Sequence, residues 1–241
     1  MAEIQVNHST GVLPVKNMNA LQRVKGIITS PGMTMESLVE KPKLLLPFII
    51  VAVAQLILYF ARYPLYQDYM NRTLTEPLMA AGMTADSIDK FILAMTAATP
   101  LTTLFGWFIT AVIFFAVFKI FGAKGKFKQY MSITGHAYII TALYYVIVLV
   151  ASFFTGSLHL NLTLTSIANL LPAEMAGTFI YGIAMAIDIF SLWYYCVIAI
   201  GMAAVSGFRK RNAYILVGLI YAVGVLIAGF GAAATKALTG G

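Results

Sequence analysis

The sequence predicts an all-α fold: a polytopic membrane protein, a bundle of five transmembrane helices with short amphipathic helices in the N-terminal segment and outer loops. Composition is the first observation behind it. Of 241 residues, 60% are apolar and 10% charged, against about 25% charged in soluble domains. The second is a set of five apolar runs, 44–60, 101–118, 131–154, 177–204 and 213–234. Each approaches or exceeds the roughly twenty residues that cross a bilayer as a helix. The third is the placement of the basic residues. The net charge of +7 comes from short clusters beside the apolar runs, a pattern that orients a chain in a membrane rather than one that grips nucleic acid. The one cysteine, Cys196, lies inside the fourth run. No internal disulfide is therefore expected, and the thiol reads as filler.

Residues 1–43 contain no apolar run long enough for a signal peptide, so this segment is expected to remain on the mature protein. Ser30 before Pro31 is a helix start, because proline suits the first helical turn. Met33, Met35, Leu38 and Val39 beside Glu36, Glu40 and Lys41 make an amphipathic edge, read as one short helix lying on the membrane surface. Span one, 44–60, is interrupted only by Gln55. Between spans one and two, Leu65 to Ala81 has helical spacing that Gly82 can end. Thr84 or Asp86 can cap a second outer helix, Ala85 to Ala98, which Pro100 stops or kinks before span two.

The loop K-I-F-G-A-K-G-K-F-K-Q-Y follows span two, with Lys119, Lys124, Lys126 and Lys128. It lacks the spacing and the preceding strand of a phosphate-binding loop. Span three, 131–154, holds His136, Thr141, Tyr144 and Tyr145. The outer segment after it suggests one short helix, Thr165 to Leu171, ended by Pro172. Span four, 177–204, contains no Lys, Arg or His, yet Asp188 stands near its middle. Span five, 213–234, carries small residues at helix-contact spacing, including Gly218-x-x-x-Ala222 and Gly224-x-x-x-Ala228. Residues 235–241 are read as a short external tail.

Orientation follows from counting Lys and Arg in alternate loops. Lys16, Arg23, Lys25, Lys41, Lys43, Lys119, Lys124, Lys126, Lys128, Arg209, Lys210 and Arg211 fall on one side; Arg62, Arg72, Lys90 and Lys236 fall on the other. The richer side is the cytoplasmic one, which puts the N-terminus in the cytoplasm and the C-terminus outside a bacterial cell membrane. The basic loops, through Lys124, Lys126, Lys128, Arg209, Lys210 and Arg211, are candidates for contact with anionic lipid head groups or a partner.

A carboxylate deep in a bilayer must face protein or water. On one continuous helix Tyr181, Asp188, Ser191 and Tyr195 share a stripe with small residues. Counting inward at 1.5 Å per residue puts Asp188 roughly 24 Å from the cytoplasmic end, at the depth of Tyr144, Tyr145 and Thr103. These seven residues form the candidate buried polar cluster, with Asp188 bonded to Tyr144, Tyr145 or Thr103. Enzyme readings fail. There is no H-E-x-x-H or G-x-S-x-G, the histidines His8, His136 and His159 are scattered, and an intramembrane aspartyl protease needs a second carboxylate. No cofactor or metal is called for. Two readings of Asp188 stay open: a group that fixes helix packing, or part of a proton or cation path.

Three stretches carry a family resemblance: I-I-T-S-P-G-M-T-M-E-S-L-V-E-K-P before span one, F-G-A-K-G-K-F-K-Q-Y-M-S-I-T-G-H-A-Y between spans two and three, and D-I-F-S-L-W-Y in span four. They resemble the Yip family (Yip-one domain) in its bacterial branch. The resemblance implies five helices, a cytoplasmic N-terminus and no catalytic activity. Eukaryotic members work in vesicle traffic with Rab-type GTPases, through a long N-terminal region this chain lacks. Some prokaryotic members are accessory to membrane transport systems. The expected role is thus an accessory or scaffold subunit for other integral membrane proteins, such as a transport or export system, or a role in membrane organisation, with an ABC-type transporter and a second copy of the chain among the candidate partners. A small proton- or cation-coupled transporter or channel using Asp188 is the alternative.

Overall fold

The computed structural model describes residues 18–158 and 164–239. Ten α-helices and two short 3-10 turns account for its secondary structure, with no named strand among the described residues. Helix α1 (Ala20–Thr29) opens with a reciprocal cap: Gln22 N donates to Asn19 Oδ1 at 2.9 Å, and Asn19 N donates to Gln22 Oε1 at 3.0 Å. Helix α2 (Pro31–Glu40) follows at once. The sequence suggested one surface helix here; the structure has two, and their apolar faces cover protein. Ile27, Met35 and Leu38 are fully buried. Gly201 explains the fit, since a methyl group there would lie 2.4 Å from Ile133 and 3.0 Å from Met35 Sδ. Only a glycine lets α2 approach this closely.

Helix α3 (Leu45–Ala61) is span one; the chain then bends by 66° at Arg62 into α4 (Tyr63–Ala80). Arg62 is buried. Its Nε donates to Leu58 O at 3.0 Å, and its Nη1 donates to Ser152 Oγ at 3.2 Å and to Leu158 O. The cation therefore sits at the C-terminal ends of two helices, where the peptide dipoles present negative charge. Gly82, at φ +89°, turns the chain as its position in the sequence suggested.

Thr84 accepts from Ser87 N and starts α5 (Ala85–Ile120), a single helix of 36 residues. The sequence has Pro100 stopping or kinking a helix here; in the structure the helix continues through Pro100. Proline removes the amide that would bond the carbonyl of Thr96. That carbonyl instead accepts from Thr99 Oγ1 at 2.8 Å, so the freed acceptor stays satisfied within the helix. At 1.5 Å per residue α5 is about 54 Å long, well beyond a hydrocarbon core of ~30 Å. Its first turns pair with α4 as a hairpin, at the end of the bundle away from the lysine-rich loops, around Met70, Ile88 and Ile92.

Span three is α6 (Phe127–Ala137) and α7 (Ile139–Thr155), separated by a one-residue turn at Tyr138. Trp107 of α5 locks α6: its Nε1 donates to Met131 O and Thr134 Oγ1, both at 3.0 Å, and its ring lies over Gly135. The outer segment forms two 3-10 turns, Ile167–Leu170 and Ala173–Met175, rather than one helix ended by Pro172. Pro172 instead precedes the second turn. Span four is also two helices, α8 (Phe179–Ala186) and α9 (Ile189–Ser206), broken at Ile187–Asp188. Helix α10 (Lys210–Thr239) runs past the span assigned to it, so residues 235–239 are helical rather than tail.

Lengths and hydropathy give four helical runs able to cross a membrane, and five when the bent α3–α4 pair counts as one. The lysine-rich loops share one end of the bundle. There Lys43 N donates to Ser132 Oγ at 3.0 Å and Lys124 N to Ser206 O at 2.8 Å. Arg62, Leu158, Gly177 and Lys236 mark the far end. One core joins α1 and α2 to α5, α6, α9 and α10 in the lysine-rich half, and a second lies between α3 and α7.

Candidate functional site

Asp188 is the N-terminal cap of α9, 7% exposed, with extended backbone (φ −133°, ψ 146°). Its Oδ1 accepts from Phe190 N at 2.8 Å and Ser191 N at 3.0 Å. Its Oδ2 accepts from the Thr165 hydroxyl. The residues that break span four also pair with the outer segment: Ser166 and Asp188 form an isolated antiparallel bridge, and Ile167 N donates to Ile187 O at 3.1 Å. Tyr144 completes the wall, its hydroxyl accepting from Leu164 N at 3.1 Å beside Thr165 and the carboxylate. Tyr221 of α10 donates to Ala186 O at 3.1 Å, satisfying a carbonyl left open where α8 ends.

This arrangement differs from the one expected. The helix break needs neither glycine nor proline, because an aspartate can end one helix and cap the next. Since α9 alone covers 18 residues, about 27 Å at 1.5 Å per residue, Asp188 stands about that far from the lysine-rich end, close to the depth of roughly 24 Å counted along the sequence. A carboxylate there rests on the positive end of the α9 dipole.

Of the seven cluster residues, Tyr144 and Ser191 are brought to Asp188, Ser191 through its backbone amide. Tyr195 packs on Tyr221 with ring centroids 4.6 Å apart, one turn further along α9. Tyr181 stands on α8, and the break resets the helical phase that had put it on the same stripe. Tyr145 is buried between α3 and α7 with Val51, Leu58 and Val148. Thr103 donates to Gln55 Oε1 at 2.8 Å and joins α5 to α3. The expected bond from Asp188 to Tyr145 or Thr103 is thus replaced by the one from Thr165, which the sequence reading had assigned to a separate short helix. Its only signal was a Thr-Ser pair in an otherwise apolar outer stretch.

Lys124, Lys126, Lys128, Arg209, Lys210 and Arg211 are all exposed at the lysine-rich end. The Lys124 side chain lies 3.3 Å from the position of a Cβ on Gly207, so the two basic loops are neighbours. His136 is fully buried, its Nδ1 at 2.8 Å from Ser132 O. His8 and His159 lie outside the described residues. No group of three or more His, Cys, Asp or Glu able to hold a metal occurs among the described residues.

The small residues of span five have one use that the sequence left open. A methyl group on Gly182 of α8 would lie 2.5 Å from Ala228 O and 2.8 Å from Gly229 Cα. Helices α8 and α10 therefore touch backbone to backbone. Gly218 and Gly224 face open space.

The Yip1 domain model matches residues 25–233. The chain belongs to the Yip1 domain family. The match takes in α2 through nearly all of α10, including the broken fourth span and both basic loops. A curated relative, "Membrane protein YknW" of Bacillus subtilis (strain 168), is 27% identical over 209 residues, covering 85% of this chain and 87% of the relative. No solved structure matches the chain. A Yip1 domain protein with these apolar helices is an integral membrane protein.

Proposed function

We propose that this Yip1 domain protein is a non-enzymatic accessory or scaffold subunit that works through other integral membrane proteins, such as a transport or export system. It does so in the bacterial cell membrane, with its N-terminus in the cytoplasm and its C-terminus outside. The outer hairpin is the observation that carries the reading. Helix α5 continues some 16 residues beyond the length a bilayer needs. On this extension Phe91 and Met95, one turn apart, are 40% and 45% exposed, with Met79 of α4 at 52%. Apolar side chains held outside the lipid on a two-helix platform suit the surface of another protein. The excess of Lys and Arg on the opposite end supports the orientation. The exposed lysines and arginines of that end also suit anionic lipid. Purification from native membranes in mild detergent tests the role: the reading requires a stoichiometric integral membrane partner, an ABC-type transporter being the expected class.

One observation favours the transporter reading, the interruption of span four at its acidic residue, since broken helices line ion sites in transporters. The carboxylate's bonding weighs the other way. Both oxygens are already engaged by donors of the fold itself, so the cap accounts for the break. Proton flux into liposomes carrying the purified protein, compared with Asp188→Asn, separates the two.

A further inference from the structure

The lysine-rich end holds a second buried charge. Arg23 of α1 is 4% exposed. Its Nη1 reaches Lys41 O at 3.4 Å, while its Nε has no hydrogen-bond partner. Burial disfavours its charged form and lowers its pKa from the usual arginine value. A guanidinium N–H held away from water without an acceptor is costly, and an anion is the acceptor chemically suited to it.

The surroundings say which anion. Arg23 lines an open groove of about 830 Å³ between α1, the 42–44 connection, the start of α3 and α6. Lys43 and Lys128 line the same groove and no acidic residue does. Both lysines are exposed at its rim. Apart from Asn19 the remaining wall is apolar, with Leu44, Leu45, Leu46 and Ile49 on the α3 side. Leu45 opens span one, and Leu45 and Ile49 are 69% and 47% exposed on the side that faces lipid. Three cations thus meet where a hydrocarbon-facing helix face begins. An inorganic phosphate would use only the basic half of such a site; a phospholipid uses both.

We infer that this groove binds an anionic phospholipid, with Arg23 at the back of the head-group site, Lys43 and Lys128 at its rim, and an acyl chain along Leu45 and Ile49. The site differs from the exposed basic loops around Lys124 and Arg209. It ties α1 to α3 and α6 through the ligand. Anionic lipid therefore holds the N-terminal helices on the bundle.

The test uses the full chain, delipidated in a neutral mild detergent and titrated with phosphatidylglycerol, phosphatidylcholine or inorganic phosphate. Bound lipid is counted by native mass spectrometry. Phosphatidylglycerol is expected to bind in preference to phosphatidylcholine, and millimolar inorganic phosphate leaves it bound. Lys43→Gln and Lys128→Gln each weaken it about fivefold, the effect of one cation near a lipid surface, while Lys124→Gln, outside the groove lining, weakens it less. Both lysines are exposed, so these variants keep the fold, and an unchanged melting midpoint checks this. Arg23→Gln removes the preference for the anionic lipid. Equal binding of the two lipids, or wild-type binding in the Lys43→Gln/Lys128→Gln pair, overturns the inference. An equal loss in Lys124→Gln shows a diffuse electrostatic effect and also overturns it. Displacement by inorganic phosphate replaces the lipid site with a small-anion site.

Discussion

Replacing Asp188 by alanine takes two acceptor oxygens away from three donors. Phe190 N and Ser191 N lose the Oδ1 that caps α9, and the Thr165 hydroxyl loses Oδ2. Loss of an N-cap costs about 1 kcal/mol, with a range of roughly 0.5–2. The part-buried Thr165 hydroxyl, losing its charged partner, adds about 1 kcal/mol. The sum is about 2 kcal/mol. Asparagine keeps an Oδ1 for the two amides, and the Thr165 hydroxyl can turn to accept from its Nδ2, so Asp188→Asn costs less than about 1 kcal/mol. Melting of the purified protein in mild detergent ranks the three as wild type, Asn, then Ala. Hydrogen exchange at the Ile167 amide, now bonded to Ile187 O at 3.1 Å, accelerates in the alanine variant alone. An asparagine variant as damaged as the alanine one would refute the cap as the role of Asp188. So would an alanine variant that melts like wild type.

Other expectations follow from the same packing. Gly182→Val forces branched atoms into the Ala228 and Gly229 backbone, at 2.5 and 2.8 Å from a mere methyl. It lowers the melting midpoint by overpacking of about 1–3 kcal/mol or more, whereas Gly224→Ala, with open space around it, leaves it within experimental error. Arg62→Leu leaves Leu58 O, Leu158 O and Ser152 Oγ without their donor and costs about 1–3 kcal/mol by melting; Arg62→Lys, keeping charge but not the fork, falls between. In a Cys196→Ala background, cysteine at exposed Ser157 labels with an impermeant thiol reagent in intact cells and cysteine at exposed Asn212 does not. The reverse pattern inverts the proposed orientation. Ala123 would be a poor reporter on the inner side because it is buried.

Most of the architecture was legible because apolar run length maps directly onto bilayer thickness. Span one ends within a residue of α3, and Gly82 and Thr84 act as the turn and cap that their residue types suggest. What the sequence hid depends on partners distant along the chain. Pro100 looked like a helix stop because the rescue of the Thr96 carbonyl by Thr99 is a side-chain event inside the helix. The break at Asp188 was masked by unbroken hydrophobicity. Its local signal, an acceptor side chain ahead of Phe190 and Ser191 amides, is the ordinary N-cap pattern, but in an apolar run it competed with the reading of a continuous span. Thr165 was out of reach, since nothing local says that an outer segment folds back onto span four. The helix expected from Ser30 reads as a surface helix because Gly201, which admits Met35 to the core, is uninformative until its neighbours are known.

The claim that this Yip1 domain protein works through another membrane protein is tested most directly at the outer hairpin. Wild type and a Phe91→Ser/Met95→Ser pair, both exposed positions, are purified from native membranes under the same mild conditions, and copurifying proteins are quantified. The account predicts a stoichiometric integral membrane partner with wild type, lost in the pair variant while its melting is unchanged. A wild-type chain that purifies alone, and that carries protons into liposomes in a manner abolished by Asp188→Asn, would contradict it.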